Sequence, residues 1–112
     1  MARSRFSNTS IERRSKLRFP LELEVRYEFK QYRRLQTGVG QSLNISSSGM
    51  LLETEHRLQP GTKLKLAINW PIKLNATASI KLVARGNVVR VSHNKAAIRF
   101  TWHEFRLLGG RL

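Results

Sequence analysis

The chain has 112 residues, of which 40% are hydrophobic, and it contains no cysteine. This length predicts one small domain, and the composition excludes disulfides and thiolate metal sites. The 21 Lys and Arg outnumber the 7 acidic residues, and the net charge of +14 favours anionic partners without choosing among nucleotides, nucleic acid, lipid and acidic protein. No apolar run approaches the roughly 20 residues of a membrane span. The first ten residues lack a signal-peptide core, so we expect a cytoplasmic protein.

The N-terminal third predicts a basic arm followed by two strands. Residues 1–13 are polar and basic without a clear period, which indicates a flexible arm. Residues 17–29 alternate between apolar and polar side chains, the pattern of a half-buried β-strand. A second strand is predicted over residues 36–46. Its core side is expected to carry Thr37, Val39, Leu43 and Ile45, and its outer side Gly38, Gly40, Ser42, Asn44 and Ser46.

The remaining sequence predicts four more strands joined by short turns. They cover residues 50–54, 64–70, 77–92 and 96–101, with a bend or bulge at Gly86. Residues 102–112 form a tail with room for one helical turn, and we expect Trp70, Trp102 and Phe105 to fill the core. The fold class is therefore all-β, a six-stranded antiparallel barrel. We divide the chain into an arm (1–13), a barrel (14–102) and a tail (103–112).

Two short motifs carry the functional signal. The first places Arg14 and Arg18 four residues apart, a spacing that a chain with this many arginines produces by chance. The second is Asn44-x-Ser46-x-x-Gly49, which a shuffled chain of this composition would contain only about 0.03 times. The second motif, and its position after the first, therefore carry the specificity.

In motif order and strand count the chain resembles the PilZ domain family, small β-barrels that bind the second messenger cyclic di-GMP. The resemblance implies that Arg14, Arg18, Asn44, Ser46 and Gly49 bind this ligand. The chemistry is suitable, because a guanidinium group meets guanine O6 and N7 together and also clamps phosphate. A glycine at position 49 permits a left-handed turn or a close approach of the ligand. Strand parity predicts that Arg18, Asn44 and Ser46 face outwards.

Two further arginines are candidates for ligand contacts. Arg13 supplies a third guanidinium beside Arg14, and we hypothesise that it helps to hold a second, intercalated ligand molecule. Arg90, late in the fifth strand, lies where the family often has a residue beside the ligand, and its planar group can stack on a base. An exposed strand arginine without a role is an equally good interpretation of Arg90.

The sequence favours a receptor over an enzyme. It has no aspartate, no paired carboxylates and no phosphate-binding glycine loop, and its three histidines are scattered without metal-ligand spacing. We expect no metal and no cofactor besides the ligand cyclic di-GMP. The leading hypothesis is a receptor whose arginine arm orders over the barrel and engages a protein partner in motility, biofilm, exopolysaccharide or virulence control.

Two alternatives remain open. One is a small basic barrel that binds single-stranded nucleic acid, although aromatic residues make up only 8% of the chain. The other is a PilZ-like module that binds only protein.

Overall fold

The computed structural model of the protein describes residues 21–73 and 79–108. These residues form six strands: β1 Glu24–Gln31, β2 Arg34–Ser46, β3 Gly49–Glu53, β4 Lys63–Lys73, β5 Ser79–Ser92 and β6 Lys95–Leu108. All neighbouring strands are antiparallel, and the sheet closes in the order β1-β2-β3-β6-β5-β4. The prediction of a six-stranded antiparallel barrel is confirmed.

The inward side chains of the strands form one core. A representative row crosses four strands, since Ile45 pairs with Met50, Met50 with Ile98, and Ile98 with Val88. All four side chains are buried. Burial of such apolar surface is the main driving force for a small barrel. Alternate residues of the same strands therefore form the outer surface.

The predicted facing of β2 is wrong in its first half. Thr37 and Val39 are exposed, whereas Ser42 is completely buried. The pairing with β3 shifts between Ser42 and Asn44, so Leu43 is an extra residue in the ladder. One extra residue reverses which side of the sheet each following side chain faces. A strict alternation over residues 36–46 misses this reversal.

The N-terminal end of the first strand also differs from the prediction. Strand β1 begins at Glu24, and residues 21–23, which the sequence predicts as strand, approach β2 without regular strand pairing. Residues 17–20 of the predicted strand lie outside the described residues. The predicted arm over residues 1–13 lies outside the described residues. The predicted irregularity at Gly86 is confirmed, because the β5–β6 register shifts between Arg85 and Gly86.

Strand β6 continues to Leu108, seven residues beyond its predicted end. Residues 102–108 of the predicted tail are therefore strand rather than a helical turn. The placement of Trp102 and Phe105 in the core is wrong, since both are exposed, while Trp70 is partly buried against the core. The physical reason is that β3 pairs with β6 only as far as Arg99. Beyond that residue, no described strand covers the other edge of β6.

Candidate ligand-binding site

The turn between β2 and β3 is held by serine hydroxyl groups. The backbone N–H of Ser48 donates to Oγ of Ser46 at 3.2 Å, and the two hydroxyl oxygens are 3.0 Å apart. Ser46 is buried, with a relative exposure of 5%, which corrects the expectation that it faces outwards. A side chain that bonds to its own turn in this way shapes the backbone. Ser46 therefore positions the turn that follows Asn44.

Gly49 is required by the packing of β3 against β6. It pairs with Arg99, and a Cβ atom at position 49 would overlap the carbonyl oxygen of Ile98. Among the described glycines, the positive φ belongs to Gly61 and not to Gly49. Of the two reasons suggested for glycine at position 49, the left-handed turn is therefore not observed, and the structure adds another reason, the close approach of two strands.

Asn44 and Arg90 lie in one row of the sheet. Asn44 pairs with Leu51, Leu51 with Ala97, and Ala97 with Arg90, so the row crosses β2, β3, β6 and β5. Asn44 is half-buried and Arg90 is exposed, whereas the adjacent row of Ile45, Met50, Ile98 and Val88 is buried. With strands about 4.8 Å apart, the Cα atoms at the two ends are roughly 14 Å apart. The row therefore forms a shallow outer surface with an amide at one end and a guanidinium at the other.

The bulged part of β2 also holds the segment that leads back towards Arg18. The hydroxyl of Ser42 donates to the carbonyl of Leu21 at 2.5 Å and accepts the N–H of Leu23 at 2.9 Å. The backbone N–H of Ser42 donates to the carbonyl of Leu23 at 2.8 Å. These bonds explain why a serine is buried completely, since a buried hydroxyl without partners is costly. These bonds fix residues 21–23 against Ser42, which precedes Asn44 by two residues in β2.

Positive charge is unevenly distributed along the chain. Residues 21–60 contain five basic and five acidic residues, whereas residues 61–108 contain nine basic residues and one acid, Glu104. The nine are Lys63, Lys65, Lys73, Lys81, Arg85, Arg90, Lys95, Arg99 and Arg106. Arg90 and Arg99 lie on the same half of the barrel as the row from Asn44. An anionic ligand on this surface meets an attractive potential.

A second polar cluster, which the sequence analysis missed, joins β1 to the end of β3. The hydroxyl of Tyr27 contacts Oγ1 of Thr54 and lies 2.8 Å from Nδ1 of His56. Burial raises the pKa of Tyr27 above its ordinary value of 10.0, and the hydrogen bond from Thr54 partly opposes this rise. The sequence pattern identified Tyr27 as an inward residue of β1. It did not identify Thr54 and His56 as its partners, because they lie in a loop that has no regular pattern.

The groove beside this cluster is lined by Glu53 and Glu55 together with Gly40 and Asn94. The two carboxylates make it a poor site for an anion. In the described part of the chain no three His, Asp or Glu side chains are grouped to hold a metal ion. The same residues contain no helix long and apolar enough to span a membrane. The outer row from Asn44 to Arg90 is therefore the better candidate for a nucleotide.

Of the seven predicted site residues, four lie in the described part of the chain and three do not. The structure brings Asn44, Ser46 and Gly49 together around the β2–β3 turn and places Arg90 at the far end of the same row as Asn44. Arg13, Arg14 and Arg18 lie outside the described residues. The ligand-binding role of all seven remains a prediction.

The structure is thus a small closed barrel with a polar turn at the end of its second strand and a basic outer surface. The sequence matches the PilZ domain family over residues 12–106, most of the chain, and the protein belongs to that family. PilZ domains are, in general, adaptors that bind cyclic di-GMP. A comparison with curated proteins finds no match.

Proposed function

We propose that this PilZ protein is a receptor for cyclic di-GMP that transmits ligand binding to a protein partner, without catalysing a reaction. The ligand lies on the outer row from Asn44 to Arg90, and the arginines of the first motif close over it. The observation that carries the proposal is the hydrogen bonding of Ser42 to residues 21 and 23. It holds residues 21 and 23, which follow the first motif in the chain, beside the strand that carries the second motif.

Chain length supports this arrangement. Arg18 is three residues from Leu21, a distance of at most about 10 Å along an extended chain. Arg14 is seven residues away and can span at most about 25 Å. Both limits are compatible with contacts to a dinucleotide that lies between Asn44 and Arg90. The first motif therefore supplies charge and the second supplies the shaped surface.

Ligand chemistry supports the same roles. Guanidinium groups at positions 14 and 18 match the acceptor pair of guanine and the phosphate oxygens. Arg90 contributes a planar cation at the other end of the row, suited to stacking on a base. Repulsion among these arginines opposes a closed arm until the ligand neutralises them, so ligand shifts the population towards the closed form. The closed arm presents a new surface to the partner.

Titration calorimetry tests the proposal, with cyclic di-GMP as ligand and GTP and cyclic AMP as controls. Arg18→Ala, Asn44→Ala and Arg90→Ala should each weaken binding, by about tenfold or more for the arginines, because charge-assisted hydrogen bonds are lost. Arg26→Ala is the matched control, since it removes an exposed strand arginine from β1. Unchanged binding in Arg18→Ala and Arg90→Ala together would contradict the proposal.

Ser46→Ala separates a direct contact from a positioning role. Because the Ser46 hydroxyl is engaged by Ser48, this variant should lose about 1 kcal/mol of stability and also bind ligand more weakly. Weaker binding with unchanged stability would instead make Ser46 a direct ligand contact. The proposed second ligand molecule has its own test, a lower stoichiometry in Arg13→Ala.

The second candidate function is binding of single-stranded nucleic acid. It is favoured by the basic surface of β4–β6, where the guanidinium carbon of Arg85 lies 6.0 Å from the ring of the exposed Trp102. Base stacking on an aromatic ring beside cations is typical of such proteins. Steep salt dependence with a single-stranded oligonucleotide, and no heat with cyclic di-GMP, would favour this function. No heat with either ligand would favour a module that binds only protein.

A further inference from the structure

Strand β6 has an unpaired edge in the described part of the chain. Its residues Lys95–Arg99 pair with β3, and residues 102–108 pair only with β5. All residues from 101 to 107 are exposed, although they belong to a regular strand. An edge of this length carries backbone N–H and C=O groups that can pair with another strand.

This edge also carries an unusual concentration of exposed apolar side chains. Trp102, Phe105 and Leu107 have relative exposures of 41%, 56% and 47%. Phe105 contacts Trp70 edge-on, with ring centroids 5.1 Å apart, and this contact leaves more than half of its surface uncovered. An apolar strand edge of this kind marks an interaction surface.

We propose that this edge pairs with the same edge of a second copy of the chain, in antiparallel orientation about a two-fold axis at Phe105. The pairing joins two barrels through a continuous sheet. It brings the two Phe105 side chains together and places each His103 opposite Leu107 of the other copy. The proposal is independent of the ligand-binding function.

Charge complementarity selects both the partner and the register. In a continuous antiparallel sheet, two residues that lie opposite each other face the same side. The two-fold axis must therefore run midway between the two copies of one residue, so that this residue lies opposite itself. An axis at Glu104 or at Arg106 sets like charges directly opposite each other. An axis at Phe105 instead sets Glu104 of each copy opposite Arg106 of the other. Opposite charges across a strand pair stabilise it, whereas like charges destabilise it.

The same charges explain why two basic molecules meet here. Residues 61–100 contain eight basic residues and no acid, while residues 101–108 contain one of each. The edge is therefore the part of this half where two molecules of charge +14 repel each other least. Within one copy, Nε of Arg106 already lies 2.6 Å from Oε2 of Glu104. A second copy extends that pair to a group of four charges.

Sedimentation of the full chain over a range of concentrations, in about 0.15 M salt, tests the proposal. We expect a monomer–dimer equilibrium. Glu104→Arg and Arg106→Glu should each raise the dimer dissociation constant by about fivefold or more, since each places like charges opposite one another. The double variant should restore the wild-type value. Glu24→Arg and Arg26→Glu are matched controls, because they make the same charge changes on β1.

Hydrogen exchange on the same samples identifies what covers the edge. The proposal predicts that the amides of residues 101–108 that point away from β5 become more protected as protein concentration rises. Protection that is independent of concentration in a monomeric protein would mean that the chain covers its own edge, and would overturn the proposal. A monomer at all concentrations, or a double variant that does not restore association, would also overturn it. Circular dichroism verifies that each variant is folded.

Discussion

One row of inward side chains shows how differently the closed ring and the β6 edge are built. Val25 pairs with Ile68, Ile68 with Leu82, and Leu82 with Phe105. Their relative exposures are 0%, 0%, 3% and 56%. The strands are continuous and the side chains are all large and apolar, so residue type does not decide burial. What decides it is whether another strand lies on the far side.

The buried core ends along β6, at the point where β3 no longer pairs with it. Strand β3 is only five residues long, and it closes the ring against the first part of β6. The part of β6 that pairs with β3 packs against the turn that contains Gly49. The part beyond it, residues 102–108, exposes Trp102 and Phe105. A single strand therefore serves both a folding role and a surface role.

The largest expected contrast lies between two neighbours in the row. Leu82→Ala should lower the free energy of unfolding by about 2–5 kcal/mol, because it opens a cavity in the ring. Phe105→Ala removes a larger side chain and should cost less than about 1 kcal/mol when measured on the monomer, because its ring is already more than half exposed. Urea denaturation at low protein concentration measures both. Equal losses would mean that Phe105 belongs to the core.

The next contrast concerns the closure of the ring at Gly49. Gly49→Ala should cost about 3 kcal/mol, since its methyl group overlaps the Ile98 carbonyl and must displace a strand. Gly61→Ala is the matched control, because nothing lies within 4 Å of its added Cβ atom. There only the positive φ of 93° is unfavourable, and we expect a loss of about 1 kcal/mol. A smaller loss at Gly49 than at Gly61 would contradict the role given to the β3–β6 contact.

The sequence predicted the fold well because binary patterning is strong in this chain. Alternation identified six strands, and the turn residues separated them. The pattern failed at Leu43, because an extra residue in one strand leaves no mark in composition. It failed again at Trp102 and Phe105, since an apolar residue in a strand looks the same whether or not a neighbouring strand covers it. Both failures concern pairing between distant segments.

The candidate site was predictable to a smaller degree. The motif located Asn44, Ser46 and Gly49, and their proximity around one turn followed from their spacing. The burial of Ser46 did not follow, because it depends on the hydroxyl of Ser48 and on the tight turn between them. The alignment of Asn44 with Arg90 depends on the register of four strands and on two bulges. This register depends on pairing between distant segments, so no local sequence pattern predicts it.

The smaller expected effects concern the polar cluster inside the ring. Tyr27→Phe removes a buried hydroxyl that contacts Thr54 and His56, and we expect a loss of about 1 kcal/mol. Tyr32→Phe is the matched control, since Tyr32 is 87% exposed and its hydroxyl should contribute nothing measurable. Urea denaturation near pH 7 measures both variants. An unchanged stability in Tyr27→Phe would show that the cluster contributes nothing to the ring.

The smallest effect is the pH dependence that the same tyrosine confers. Burial raises the pKa of Tyr27 in the folded state above its ordinary value of 10.0, so the unfolded chain loses this proton first as pH rises. The contribution of Tyr27 to stability is therefore complete below pH 10 and is lost as pH rises through its folded-state pKa. As pH rises above about 10, the stability of the native protein should fall more steeply than that of Tyr27→Phe. The two proteins differ only in this hydroxyl, so the difference between the two slopes isolates the tyrosine. Parallel slopes would mean that the folded barrel exposes the Tyr27 hydroxyl to water, and the ring would then be open on the side where β1 meets the end of β3.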